Sequence, residues 1–233
     1  MKTLLSALLP AALALPFVAA PAVAQEADDG PGVDWTVQVG AATDYVSKGI
    51  SKTNGDPQAW GRVEAARGDL FAGGFLTNAD VNGADAEAQA YVGWRPERFG
   101  YEWEFAATYK SFPGANPGLD PDMVELRADV SRSIGPASAR LRVEWTPDNF
   151  GASEEAWWIE SRLGWRFDPR TSASVGLARR EQQGGADYTS WNLGLTRKLH
   201  DRLSADLRWW DTDGHGFGQN YDGRLVAGLT ASF

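Results

Sequence analysis

Polar and apolar residues alternate with a period of two in about a dozen stretches, separated by turn residues, and no stretch keeps a helical period. In the first, Trp35, Val37, Val39, Ala41 and Tyr45 share one side, and Thr36, Gln38, Gly40 and Asp44 the other. In a fifth, Tyr101, Trp103, Phe105, Ala107 and Tyr109 oppose Glu102, Glu104, Thr108 and Lys110. In a sixth, Val124, Leu126, Ala128 and Val130 oppose Glu125, Arg127, Asp129 and Ser131. A seventh sets Leu141 and Val143 against Arg140, Arg142 and Glu144, and an eighth sets Trp157, Ile159, Leu163 and Trp165 against Glu160, Arg162 and Arg166. Arg208 and Arg224 hold the polar register of the last two stretches. Each stretch is roughly 9 to 12 residues long, which is what a tilted strand needs to cross a bilayer's hydrocarbon layer.

A soluble antiparallel sandwich alternates in the same way, with its charged face in water. Two features favour the membrane. Short turns at Arg67-Gly68, Pro96 to Gly100, Ser133 to Pro136, Asp168 to Arg170 and Leu199 to Asp201 interleave with longer connections, as in outer-membrane barrels. The final stretch, with Leu225, Ala227, Leu229 and Ala231 on one face, closes on Phe233, which resembles the signal read by the bacterial barrel-assembly machinery. The expected fold is therefore all-β: an up-and-down transmembrane antiparallel barrel of about 12 strands. Its outer loops are expected near Val46 to Pro57, Asp80 to Asp85, Pro113 to Asp122, Pro147 to Glu155, Glu181 to Asp187 and Asp211 to Asp222. Loops this short are expected to stay out of the lumen, leaving any constriction to side chains such as Trp60, Tyr91, Trp158, Tyr188 and Trp210.

Composition changes the picture in three ways. The chain of 233 residues has 11 Trp yet a mean hydropathy of -0.37, a combination that suits lipid-facing aromatic girdles better than a soluble core. It has no Cys, so no disulfide stabilises it. Lys2, the apolar run from Leu4 to Ala20 and the triplet Ala22-Val23-Ala24 read as a secretory signal peptide over residues 1–24. A short periplasmic segment over 25–32 and the barrel over 33–233 would follow.

The segment Thr43-Asp44-Tyr45-Val46-Ser47-Lys48-Gly49-Ile50-Ser51-Lys52-Thr53-Asn54-Gly55-Asp56-Pro57 resembles the N-terminal signature of the TorF family, also called the Gcw_chp family. Lys48 and Lys52 stand where Arg and Gln are common in that signature. The resemblance implies an outer-membrane barrel with porin activity and supplies no solute. Physically, the segment reads as a strand end running into a loop punctuated by Gly49 and Gly55. Lys48 has two open readings: it binds a lipopolysaccharide phosphate or an anionic solute, or it only caps a turn or pairs with Asp44.

The charged register points to a lumen, because a charge facing lipid near the midplane costs roughly 2 to 4 kcal/mol. Acids gather early, at Glu87, Glu102, Glu104, Glu125 and Asp129, while Arg dominates from the seventh stretch onward, so opposed acidic and basic walls are expected. This favours passive diffusion of small polar or ionic solutes; a closed structural or surface-binding barrel is the alternative. Lipid and lipopolysaccharide are the expected surroundings, and the acidic outer loops suit cation entry, bridging to lipopolysaccharide through divalent ions, or solubility alone. A net charge of -9 disfavours nucleic acid. Only His200 and His215 are present; His215 with Asp213 and the Asp120/Asp122 pair only loosely resembles a protease site, so neither catalysis nor a cofactor or resident metal is expected.

Overall fold

The computed structural model describes residues 32–151 and 153–233. The signal peptide and nearly all of the 25–32 segment lie outside the described residues. Twelve long strands form the barrel: β1 (Asp34–Ala42), β2 (Gln58–Arg67), β3 (Leu70–Val81), β4 (Ala84–Trp94), β5 (Tyr101–Ser111), β6 (Asp122–Ile134), β7 (Ala137–Thr146), β8 (Ala156–Asp168), β9 (Thr171–Gln182), β10 (Tyr188–His200), β11 (Leu203–Thr212) and β12 (Arg224–Ser232). Each pairs antiparallel with its neighbours in sequence. The sheet closes where β1 pairs with β12, Gln38 opposite Ser232, and Val37 and Phe233 exchange backbone hydrogen bonds. Closure satisfies the edge hydrogen bonds that would otherwise be left unpaired in lipid.

Alternation then sorts the side chains. Leu76, Val92, Phe105, Leu126, Leu141, Ile159, Leu163, Leu177, Leu193, Leu207 and Leu225 point outward and are exposed. A soluble protein would not leave such a belt bare. Aromatic residues border it: Trp157, Trp191 and Trp209 towards the loop end, Trp35, Trp94, Trp165 and Phe167 towards the end carrying the short turns. Trp145 and Trp157 both donate their indole N–H to Glu155 Oε1, at 2.8 and 3.3 Å, placing the ring edge in the polar loop layer.

Two expectations about the loops are corrected. The connection expected near Asp80 to Asp85 is a tight hairpin turn, with Asn82 and Gly83 at φ +52° and +83°. Asn-Gly is the pair that tolerates this geometry and matches the strand twist. The larger correction concerns residues 43–57. This segment does not stay outside; it folds into the mouth of the barrel as a small hairpin, Val46–Ser47 paired with Ile50–Ser51. Its length suffices because the turn at Lys48-Gly49 needs only to reach the opposite wall, where side chains complete the span.

Candidate functional site

The inward loop is assembled from its own polar residues. Asp44 is buried and accepts hydrogen bonds from Ser51 Oγ at 2.7 Å and Thr53 Oγ1 at 2.8 Å, while Arg224 Nη1 binds its second oxygen at 2.7 Å. Asp44 therefore pairs with Arg224 on β12, not with Lys48. Ser51 Oγ also accepts from the Thr53 and Gly55 amides, and Thr43 exchanges hydrogen bonds with Ala227. The carbonyl of Pro57 accepts from Asn78. Tyr45 donates to Glu87 on β4 at 3.1 Å; burial, reinforced by that carboxylate, pushes its phenol above the usual range.

Lys48 and Gly49 form the tip. Both have positive φ, +52° and +83°, which the turn requires. Lys48 Nζ meets Glu125 on β6 and lies 2.9 Å from Glu144 on β7, the wall opposite β1. Lys110 Nζ approaches the other oxygen of Glu125 at 2.8 Å. Tyr188 on β10 donates its hydroxyl to the Lys48 carbonyl at 2.7 Å, and Ile50 packs on the cluster of Trp158, Ala178 and Tyr188. Gly49 lies so close to Ser190 that a Cβ there would overlap its side chain. The family-like signature is thus a folding instruction for an inserted loop, and Lys48 faces the interior, away from lipopolysaccharide. Lys48 itself occupies the turn.

Below the loop, carboxylates and guanidiniums interleave on the inner face of β5 to β8. Arg127 binds Glu104 at 2.5 Å, Arg142 binds Asp129 at 2.9 Å, and Arg140 and Arg162 share Glu160 at 2.8 and 3.0 Å. The opposed acidic and basic walls expected from the sequence are not formed, since partners lie on the same or adjacent strands. Local pairing limits the desolvation penalty each charge would carry alone. Arg208 leans over Gly194 and binds Asp206 and Asn192. Glu102 accepts from Ser131 near the short-turn end, and Arg166 is exposed there, donating to the Gly135 carbonyl. These two and Arg224 sit at the barrel's ends, outside the central ladder.

Trp158 and Tyr188 are buried on the inner side, and Tyr91 donates to Glu64. The β2 to β4 side also carries residues the sequence reading missed. Phe71 turns inward, meets Tyr91 at a tilt with ring centroids 6.1 Å apart and is capped by Arg95, while Arg62, on the inward register expected of it, lies over Phe75 and Tyr91. Gly93 makes room for the Phe71 ring. Glu87 and Lys110 lie on the inward register that the alternation gives them, whereas Lys52 and Arg180 were left out of the site; Arg180 is on the inward register of β9 and was readable as such, and Lys52 depends on where the loop folds. A cavity of about 360 Å³ lies between the loop and the wall, with Lys52, Glu87, Lys110 and Arg180 among its lining residues. A second of about 360 Å³ opens below it beside Glu102, Glu104, Arg140 and Arg142.

Residues 25–230 match the profile of a family described as "Bacterial protein of unknown function (Gcw_chp)". The chain belongs to the Gcw_chp family. No curated protein matches its sequence. Among solved structures, this Gcw_chp barrel is similar to the KdgM porin, with a TM-score of 0.61 at 8% identity over 85% of this chain and 99% of that one. It is also similar to the NanC porin, with a TM-score of 0.54 at 9% identity over 86% and 99%. At such low identity the likeness establishes the barrel fold that the Gcw_chp chain shares with these outer-membrane proteins.

Proposed function

We propose that the protein is an outer-membrane channel for passive diffusion of small polar or ionic solutes through a charge-lined lumen narrowed by the inserted loop. The observation that carries this reading is the ladder of Glu104, Arg127, Asp129, Arg140, Arg142 and Glu160 on the inner face, with a cavity above and a cavity beside it. Fixed charges around a narrow water-filled passage select by charge and size. On this reading Glu102, Glu125, Glu144, Arg162, Arg166, Arg208 and Arg224 contribute to the lining or its rims. Pairing of Phe233 beside β1 supports recognition of the last strand by the barrel-assembly machinery, since that strand completes closure.

A closed structural or surface-binding barrel is the second reading, favoured by the many ties between the loop and the wall. Single-channel recording of the refolded barrel in a planar bilayer separates the two. Discrete steps are expected, with ion selectivity shifted in opposite senses by Arg142→Ala and Glu104→Ala. Silence from a demonstrably folded barrel would leave the closed one.

A further inference from the structure

The cations of the outer cavity do not balance its acids. Lys48, Lys110, Glu125 and Glu144 form one connected network, which Arg142 joins through Glu144 at 3.5 Å. Glu87 accepts from Tyr45 and Gln89. Two further cations line the same cavity, Lys52 from the loop and Arg180 from β9. Among the described residues, no carboxylate lies within ion-pair distance of either. Arg180 is only 5% exposed, its Nη1 has no hydrogen-bond partner, and its Nε donates to nothing stronger than Gln182 Oε1 at 3.2 Å.

An unpaired guanidinium this buried leaves a strong donor unsatisfied, a state that persists in proteins where a ligand or water completes it. A planar guanidinium and a flexible ammonium lining the same cavity match an oxygen-bearing anion. The cavity has room for a few-atom ligand, and the loop and the wall hold the two cations in place. We propose that this outer vestibule is a binding site for a small oxyanion, a carboxylate, sulfate or phosphate, received by the unpaired guanidinium of Arg180 with Lys52 as its second cation. The further step, that such anions are the solutes conducted, rests on the channel reading; the binding does not.

The test is calorimetric titration of the whole refolded barrel, in micelles free of lipopolysaccharide, with inorganic phosphate at constant ionic strength. Saturable binding is expected, weakened about tenfold or more by Arg180→Gln, which removes one charge-assisted donor fork. Arg179→Gln, which removes the same charge from the adjacent outward position paired with Glu181 and Asp187, is expected to bind like wild type. If Arg180→Gln does not fold, Arg180→Lys keeps the charge and loses the fork, and partial weakening is expected. Absence of saturable binding, or equal affinity of the position-180 and position-179 variants, overturns the site. Competition by added lipopolysaccharide would assign the site to a lipid phosphate and overturn the free-solute assignment. Phosphate binding by a barrel silent in bilayers would overturn the channel and leave the site standing.

Discussion

Lys48 makes its contribution through two carboxylates that the barrel places on strands opposite its own loop. Replacing it with Met leaves Glu125 and Glu144 facing each other with weaker compensation from Lys110 and Arg142. The expected loss is about 1.5–3 kcal/mol, the scale of a hydrogen bond to a charged group that the lumen's water only partly replaces. Urea unfolding followed by tryptophan fluorescence measures it, and a cycle with Glu125→Gln should show the two changes to be less than additive. Lys52 behaves differently. Burial lowers its ammonium to about 8, helped by Arg180, Lys110 and Lys48 and opposed by Glu87. Between that value and the ordinary lysine range the unfolded chain binds a proton that the folded one does not, so this group makes stability rise with pH through that window. Sulfate binding is expected to run the other way, strong below about pH 8 and falling above it, because sulfate stays ionised and Lys52 does not. Lys52→Met should remove the step. His215, exposed on the last outer loop, touches Asp211 at 2.8 Å, not Asp213, and that hydrogen bond holds its imidazole above the usual value. An NMR titration should show the imidazole returning to its ordinary range in Asp211→Asn.

At the scale of elements, the inserted loop is where sequence reading fell short. Its residues were recognised, and Gly49 and Gly55 were rightly read as backbone positions that other residues avoid, with φ +83° and +88°. What escaped was direction. Nothing in the spacing of Asp44, Ser51 and Thr53 tells that they bond one another, or that Arg224, nearly the whole chain away, completes the set. Gly49→Val should displace the tip, since a side chain would both strain the turn and strike Ser190. A larger single-channel conductance than wild type is expected, with strand content by circular dichroism unchanged. The strands were far more legible, because alternation is local and each inward charge on β5 to β8 could be assigned by parity alone. Their pairing could not, so the expected opposed walls became a mixed ladder once register set Glu104 opposite Asp129 and Arg142 opposite Asp129 and Glu160.

Across the whole molecule, the barrel is inside out relative to a soluble protein, with Trp35, Trp157, Trp165, Trp191 and Trp209 on its surface and Trp158 buried within. Brominated lipid chains should therefore quench most of the tryptophan emission, and Trp158→Phe should leave the quenchable fraction nearly intact; a large drop would put that residue on the lipid side. The amino-acid sequence by itself determined the class of fold, the number of crossings to within a hairpin and, on the strongly alternating strands, which side chains face lipid, because period-two alternation and closure in a medium without hydrogen-bond partners admit few other solutions. The tertiary structure alone decided what the inward residues do. Which acid meets which base on the wall depends on the register between neighbouring strands, and whether the first loop lies outside or within depends on contacts across the mouth between residues distant in the chain. Arg180 shows the difference: its inward position follows from parity, but its lack of a carboxylate follows only from where every carboxylate around it has been placed.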